Sequence, residues 1–259
     1  MYYGTTTGRL QTCGFHERVD AVAGTSAENP WTELRLSGGP YVPEQDRCAV
    51  QEFNKETEDE DKKIHLELWP EPYLGDPDAP VVLLNANPGY DELDLLAHKK
   101  PAFAQKARQN LLHGLNKTDY PFYLLDPDLT FAPGFWWWRK TLKDLIDHDK
   151  SKPIEERLKI VAKRVFCVEY FPYHSKNYGW PDGKKYKLKS QQYSVDLVHD
   201  AIKRKALILI LRKKKRWLAA VEGLENYPHC YTATAARNSK VTPKRFRRGF
   251  EKAVEKIWN

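Results

Sequence analysis

Val81-Val82-Leu83-Leu84-Asn85-Ala86-Asn87-Pro88-Gly89-Tyr90 is the stretch that decides the fold class. Four successive apolar residues without alternation describe a strand covered on both faces, as in a parallel sheet, and Asn-Pro-Gly ends it in a turn. Upstream, Tyr73-Leu74-Gly75-Asp76-Pro77 leads into this strand. Downstream come three more runs of the same kind: Val165 to Val168, Ala206 to Leu211, and Tyr231 to Ala235. Helical spacing fills the intervals, with Leu142, Leu145 and Ile146 in one and Val195, Val198 and Ile202 in another. Thr242-Pro243 reads as the N-cap and first residue of a closing helix, whose apolar stripe is Phe246, Phe250, Ala253, Val254 and Ile257. Strands alternating with helices predict an α/β fold: a three-layer sandwich with a central, mainly parallel four-stranded sheet flanked by helices.

Residues 1–75 lack this pattern. They hold the turn cluster Ser37-Gly38-Gly39-Pro40 and the acidic run from Glu56 to Asp61, and are expected to form an irregular acidic extension before a 76–259 domain. The four cysteines are widely and irregularly spaced, which predicts neither a structural metal nor a disulfide. No apolar run approaches membrane length, and Met1-Tyr2-Tyr3-Gly4 does not start a signal peptide, so a cytoplasmic, monomeric protein without cofactors is expected.

Charge narrows the partner. The chain has a formal net charge of +7, with 42 Lys+Arg and 35 Asp+Glu. Residues 1–100 carry 9 basic and 19 acidic residues, whereas the last 57, from Lys203, carry 16 basic and 4 acidic. Residues 101–259 thus hold 33 basic and 16 acidic residues, and a basic half of this strength suits a polyphosphate such as nucleic acid, since phosphate neutralisation dominates that affinity. A solvated basic surface is the plain alternative.

In parallel α/β folds ligands collect at the carboxyl ends of strands, so the strand-end loops are the candidate sites. Asn87 follows the first strand on a turn whose glycine lets backbone approach a ligand, although Asn-Pro-Gly is by itself simply a good turn. Glu169 follows the second, in Glu169-Tyr170-Phe171-Pro172-Tyr173-His174-Ser175-Lys176; a carboxylate there must be paired or face a cleft. Arg212-Lys213-Lys214-Lys215-Arg216 follows the third, unfavourably for a helix start unless something anionic compensates. Arg237-Asn238-Ser239-Lys240-Val241-Thr242 follows the fourth and offers hydroxyls and cations to a phosphate, while Thr242 alone explains a helix cap. The run Phe135-Trp136-Trp137-Trp138 is more often core than platform, yet three successive tryptophans on a helix cannot all face inward.

These loops in this order resemble the uracil-DNA glycosylase superfamily over residues 76–259. Asn87-Pro88-Gly89 looks like the first motif of its mismatch-specific (thymine/uracil) branch, and Val165 to Glu169 like the strand ending in the base-reading residue, which in the family is usually asparagine. Ala206 to Lys213 is similar to its third segment. Ser239-Lys240-Val241-Thr242, with Phe246 beyond, looks like its closing Ser-x-Leu-Ser loop. The resemblance implies a monofunctional DNA N-glycosylase acting on double-stranded DNA with a flipped base. Asn87 would orient the attacking water, Glu169 would read the base, and Ala86, Tyr90 and Phe103 would contact or stack on it. Ser175, Lys176, Arg237, Asn238, Ser239, Lys240 and Thr242 would meet DNA, with Val241 as the wedge.

Where asparagine is usual, an ionised Glu169 would repel uracil O4 and accept from cytosine N4, so a C5-modified cytosine is the expected target, in repair or in defence against phage with modified DNA. A protonated Glu169 could instead donate to uracil O4. Two other classes remain open: a nucleic-acid-binding protein without catalysis, and a hydrolase of free nucleotides or nucleosides.

Overall fold

The computed structural model describes residues 28–34, 38–181, 188–234 and 239–259. The sheet follows from the apolar runs: β1 (Tyr73–Leu74), β2 (Val81–Asn85), β3 (Val165–Glu169), β4 (Leu207–Ile210) and β5 (Cys230–Thr232), in the order β1-β3-β2-β4-β5. All neighbours pair in parallel except β1, which runs antiparallel to β3. Every residue of β2, β3 and β4 is buried, as runs without alternation require. The register places Asn85 opposite Glu169, so two polar residues meet at the point where the apolar runs end.

Ten helices surround the sheet among the described residues: α1 (Glu44–Glu56), α2 (Asp94–Ala97), α3 (Pro101–Leu111), α4 (Pro133–Thr141), α5 (Lys143–Ile146), α6 (Ile154–Arg164), α7 (Gln191–Lys203), α8 (Lys214–Ala220), α9 (Pro243–Phe246) and α10 (Arg248–Trp258). Helix α10 packs on β2 and β4, and α6 and α7 on β3. No helix among the described residues is long and apolar enough to cross a membrane.

Four expectations need correction. The sheet has five strands, because two-residue β1 is too short to carry a periodicity. The closing helix is broken: Thr242 caps α9 by accepting from Arg245 N at 3.3 Å, then Arg247 takes φ 46° and α10 starts. Cys48 is disulfide-bonded. Finally, the boundary at residue 75 divides no core.

Trp31, Val50, Phe53, Trp69 and Tyr73 belong to the same hydrophobic cluster as β2 and β3. Helix α1 escapes a composition reading because its buried set includes a carboxylate. Asp46 accepts from Tyr173 Oη at 2.9 Å and from Ser190 N at 3.1 Å, tying α1 to two distant loops. The acidic run serves similarly: Asp61 meets Lys176 Nζ at 2.9 Å, and its carbonyl accepts from Asn177 N at 2.7 Å.

Candidate functional site

A cavity of about 530 Å³ opens at the carboxyl ends of β2, β3 and β4, lined by Asn85, Asn87, Tyr90, Glu169 and Arg212 among others. Its walls come from three further sources. The supposed extension supplies Glu71, the α2 region supplies Asp94 and His98, and α4 supplies Trp136, Trp137, Trp138 and Lys140.

Asn87 is buried and pinned by one end. Its Nδ2 donates to Pro88 O at 2.7 Å and to Ser175 Oγ at 3.1 Å, so Oδ1 is the end left for a ligand or water. Ser175 is therefore a buried support of Asn87, placed by the 171–177 loop. That loop is held along the N-terminal segment: His65 N donates to His174 O at 3.0 Å, and Glu71 N to Pro172 O at 2.9 Å.

Glu169 is buried with a divided carboxyl. Oε1 accepts from Asn85 Nδ2 at 2.9 Å and faces the Cys167 thiol at 3.8 Å, whereas Oε2 has no partner. Asn85 Oδ1 is likewise buried and unpartnered. Burial pushes the Glu169 carboxyl up to about 8, against the Asn85 donor and the Arg212 charge. Because Oε1 receives donors, the proton of the neutral acid belongs on Oε2. The pair thus presents one donor and one acceptor side by side.

Two more carboxyls differ from each other. Glu71, accepting from Tyr123 Oη at 3.1 Å, is pushed up to about 8 by burial first and by the Asp94 charge second. Asp94 is raised only to about 6, since its burial is countered by the Asp91 backbone N–H at 2.8 Å. At pH 7 Asp94 is mostly ionised beside two neutral acids. Because the folded Glu71 carboxyl holds its proton far above its ordinary 4.5, its contribution to stability is complete below that value and is lost as pH rises through about 8. Glu71→Gln keeps the Tyr123 contact and cannot ionise. Its Tm should therefore exceed that of the wild type by a margin that widens from pH 5 to pH 9. A pH-independent margin would mean that Glu71 folds ionised.

Glu71, His98 and His174 place one ligand atom each within 4.8 Å of one another. His174, however, has Nδ1 at 2.7 Å from Gly89 O and Nε2 at 3.0 Å from Trp69 O, and His98 Nδ1 accepts from Trp69 N at 3.0 Å. Both ring nitrogens of His174 face carbonyl oxygens rather than a shared ion position, and the neutral ring donates from one of them, so the cluster is a joint between loops.

The other expected residues divide. Tyr90 lines the cavity with its ring stacked on His65, centroids 3.6 Å apart, and Phe103 lines it from α3, edge-on to Tyr123. Ala86 does not line it: it is fully buried, and its carbonyl accepts from Phe171 N at 2.9 Å. Val241 is also fully buried, its N–H donating to Thr141 O at 2.9 Å, so it cannot be a wedge; a lone valine in a loop has no periodicity to reveal which way it faces. Lys176 reaches the rim, ion-paired to Asp61. Ser239, Lys240 and Thr242 are half-buried beside the end of α4, and Arg237 and Asn238 lie outside the described residues. The basic start of α8 is compensated by aromatic faces, Lys213 Nζ lying 4.1 Å and the Arg216 guanidinium 4.8 Å from the Tyr178 ring centroid.

Sequence reasoning missed Glu71, Asn85, Asp94 and His98, and did not favour the tryptophans as a platform. Of these, only Asn85, as the polar end of an apolar strand, carried a local signal. Comparison with known proteins finds no matching family model, curated protein or solved structure.

Proposed function

We propose that this chain is a DNA N-glycosylase on a three-layer α/β sandwich, which takes a flipped pyrimidine into the cavity and hydrolyses its glycosidic bond. The observation that carries this reading is the pinned Asn87 amide set in one cavity with the unpartnered Asn85–Glu169 pair. In the proposed reaction Asn87 Oδ1 holds a water whose oxygen bonds C1′ as the C1′–N1 bond breaks. The bonding electrons leave with the base, and the Glu169 Oε2–H stabilises that charge as a preorganised donor. The water's proton passes to Asp94, leaving an abasic site.

The neutral state of Glu169 changes the substrate argument. Accepting from cytosine N4 falls instead to Asn85 Oδ1, while Glu169 donates to N3; a uracil edge would use the same two groups in the opposite order. The cleft of about 530 Å³ has room for a pyrimidine nucleoside and for a substituent at C5, and the substrate proposed is a C5-modified cytosine, in repair or in defence against phage with modified DNA. Asp94, ionised at pH 7 in the lining, disfavours the phosphate of a free nucleotide beside it.

The test uses duplexes carrying uracil, a G·T mismatch, 5-hydroxymethylcytosine or its glycosylated form, without added metal, followed by alkali. Strand breaks at one of these bases, formed at least about a hundredfold more slowly with Asn87→Ala, are expected. No abasic sites on any of them would reject the glycosylase reading.

A further inference from the structure

Two indoles stand in water at the mouth of the cavity. Trp136 is 52% and Trp137 40% exposed, both line the opening, and Leu93 just before α2 and Leu96 within it are also exposed, α2 packing against α4. Exposed apolar surface of this size needs an explanation where scattered residues would not. Burying only Trp138 would have satisfied the core.

The rings are also fixed in advance. Trp136 Nε1 donates to Thr130 O at 2.7 Å, its ring meets Phe135 edge-on at 5.2 Å, and the Arg139 guanidinium lies 5.4 Å from its centroid. Trp137 stands edge-on to buried Trp138 at 4.6 Å. Side chains ordered before binding lose little entropy on contact. The same helix ends in Arg139 and Lys140, which brings positive charge beside the indoles, as a phosphate-flanked partner requires.

We propose that Trp136 and Trp137 are the surface on which bases of DNA stack, filling the gap that a flipped nucleotide leaves. This rests on the base-excision reading above, and it supplies the wedge that buried Val241 cannot. Aromatic rings suit the role because every base has a face to stack on, so contact here is independent of sequence. The gap in the duplex is where it counts: an intact stack offers no free face.

The experiment measures binding of the full chain, by anisotropy, to a duplex holding a tetrahydrofuran abasic-site analogue and to the same duplex intact, at two salt concentrations. Trp136→Ala and Trp137→Ala should each weaken binding to the gapped duplex about tenfold or more. The intact duplex should be affected less, Tm should be unchanged, and Trp136→Phe should restore most of the loss. Salt-sensitive binding that ignores both alanine substitutions would overturn the proposal and leave the glycosylase reading standing. Failure of the wild type to bind either duplex would reject both.

Discussion

Asp94→Asn is expected to lower turnover by about 10²–10⁴-fold, the range ordinarily supplied by a general base. Asparagine at position 87 cannot take a proton, so water activation needs another group in the same cavity. Environment separates the three buried carboxyls there: burial leaves Glu71 and Glu169 neutral up to about 8, while Asp94 titrates at about 6. Carboxyls pushed apart in this way are how one site holds both an acid and a base at neutral pH. The substitution should spare the fold, because the amide keeps an oxygen for the Asp91 N–H. The wild-type rate should rise with pH through about 6, as Asp94 ionises, and fall through about 8, as Glu169 loses the proton it donates. Asp94→Asn should erase the acidic limb and leave the alkaline one. A full rate in Asp94→Asn, or a profile flat between pH 5 and 7, would remove Asp94 from the mechanism.

How much of this site is legible in the sequence depends on how local each cause is. Strands β2, β3 and β4 are legible because burial on both faces leaves uninterrupted apolar runs, and the strand-end rule then locates Asn87 and Glu169 from the sequence alone. Strand β1 and the Glu71 wall are not legible, because their positions come from pairing with β3 and with the 171–177 loop. Asp46 in α1 misleads for a related reason: its carboxylate counts as surface by composition, yet it is satisfied by Tyr173 and Ser190, both far along the chain. Val241 and Ala86 fail because motif position says nothing about which way a loop side chain faces. Trp136 and Trp137 sit at the opposite extreme. Helix geometry requires one of the three tryptophans to leave the core, but only the packing of α4 decides that two do, and over a cavity.

Asn87 allows the sharpest separation of chemistry from binding. Asn87→Ala removes the Oδ1 that would hold the water, and a loss of about 10²–10³ in turnover is expected, the cost of deleting one preorganised polar group. Binding to the gapped duplex should be nearly unchanged, since its affinity comes from phosphate contacts and the indoles. Asn87→Asp is more informative. A carboxylate is a base, but the Nδ2 it replaces donates to Pro88 O at 2.7 Å and lies 3.5 Å from Ser175 O. An ionised oxygen there would face carbonyl oxygens, leaving either a protonated aspartic acid or a displaced side chain. Asn87→Asp should therefore retain no more than roughly a hundredth of the wild-type rate at pH 7, matching the loss of one preorganised group, with a raised pKa on its rate profile. Activity equal to or above the wild type would mean that the amide is not pinned as the structure has it. The water would then be activated at position 87 itself, which would leave Asp94 without a catalytic role.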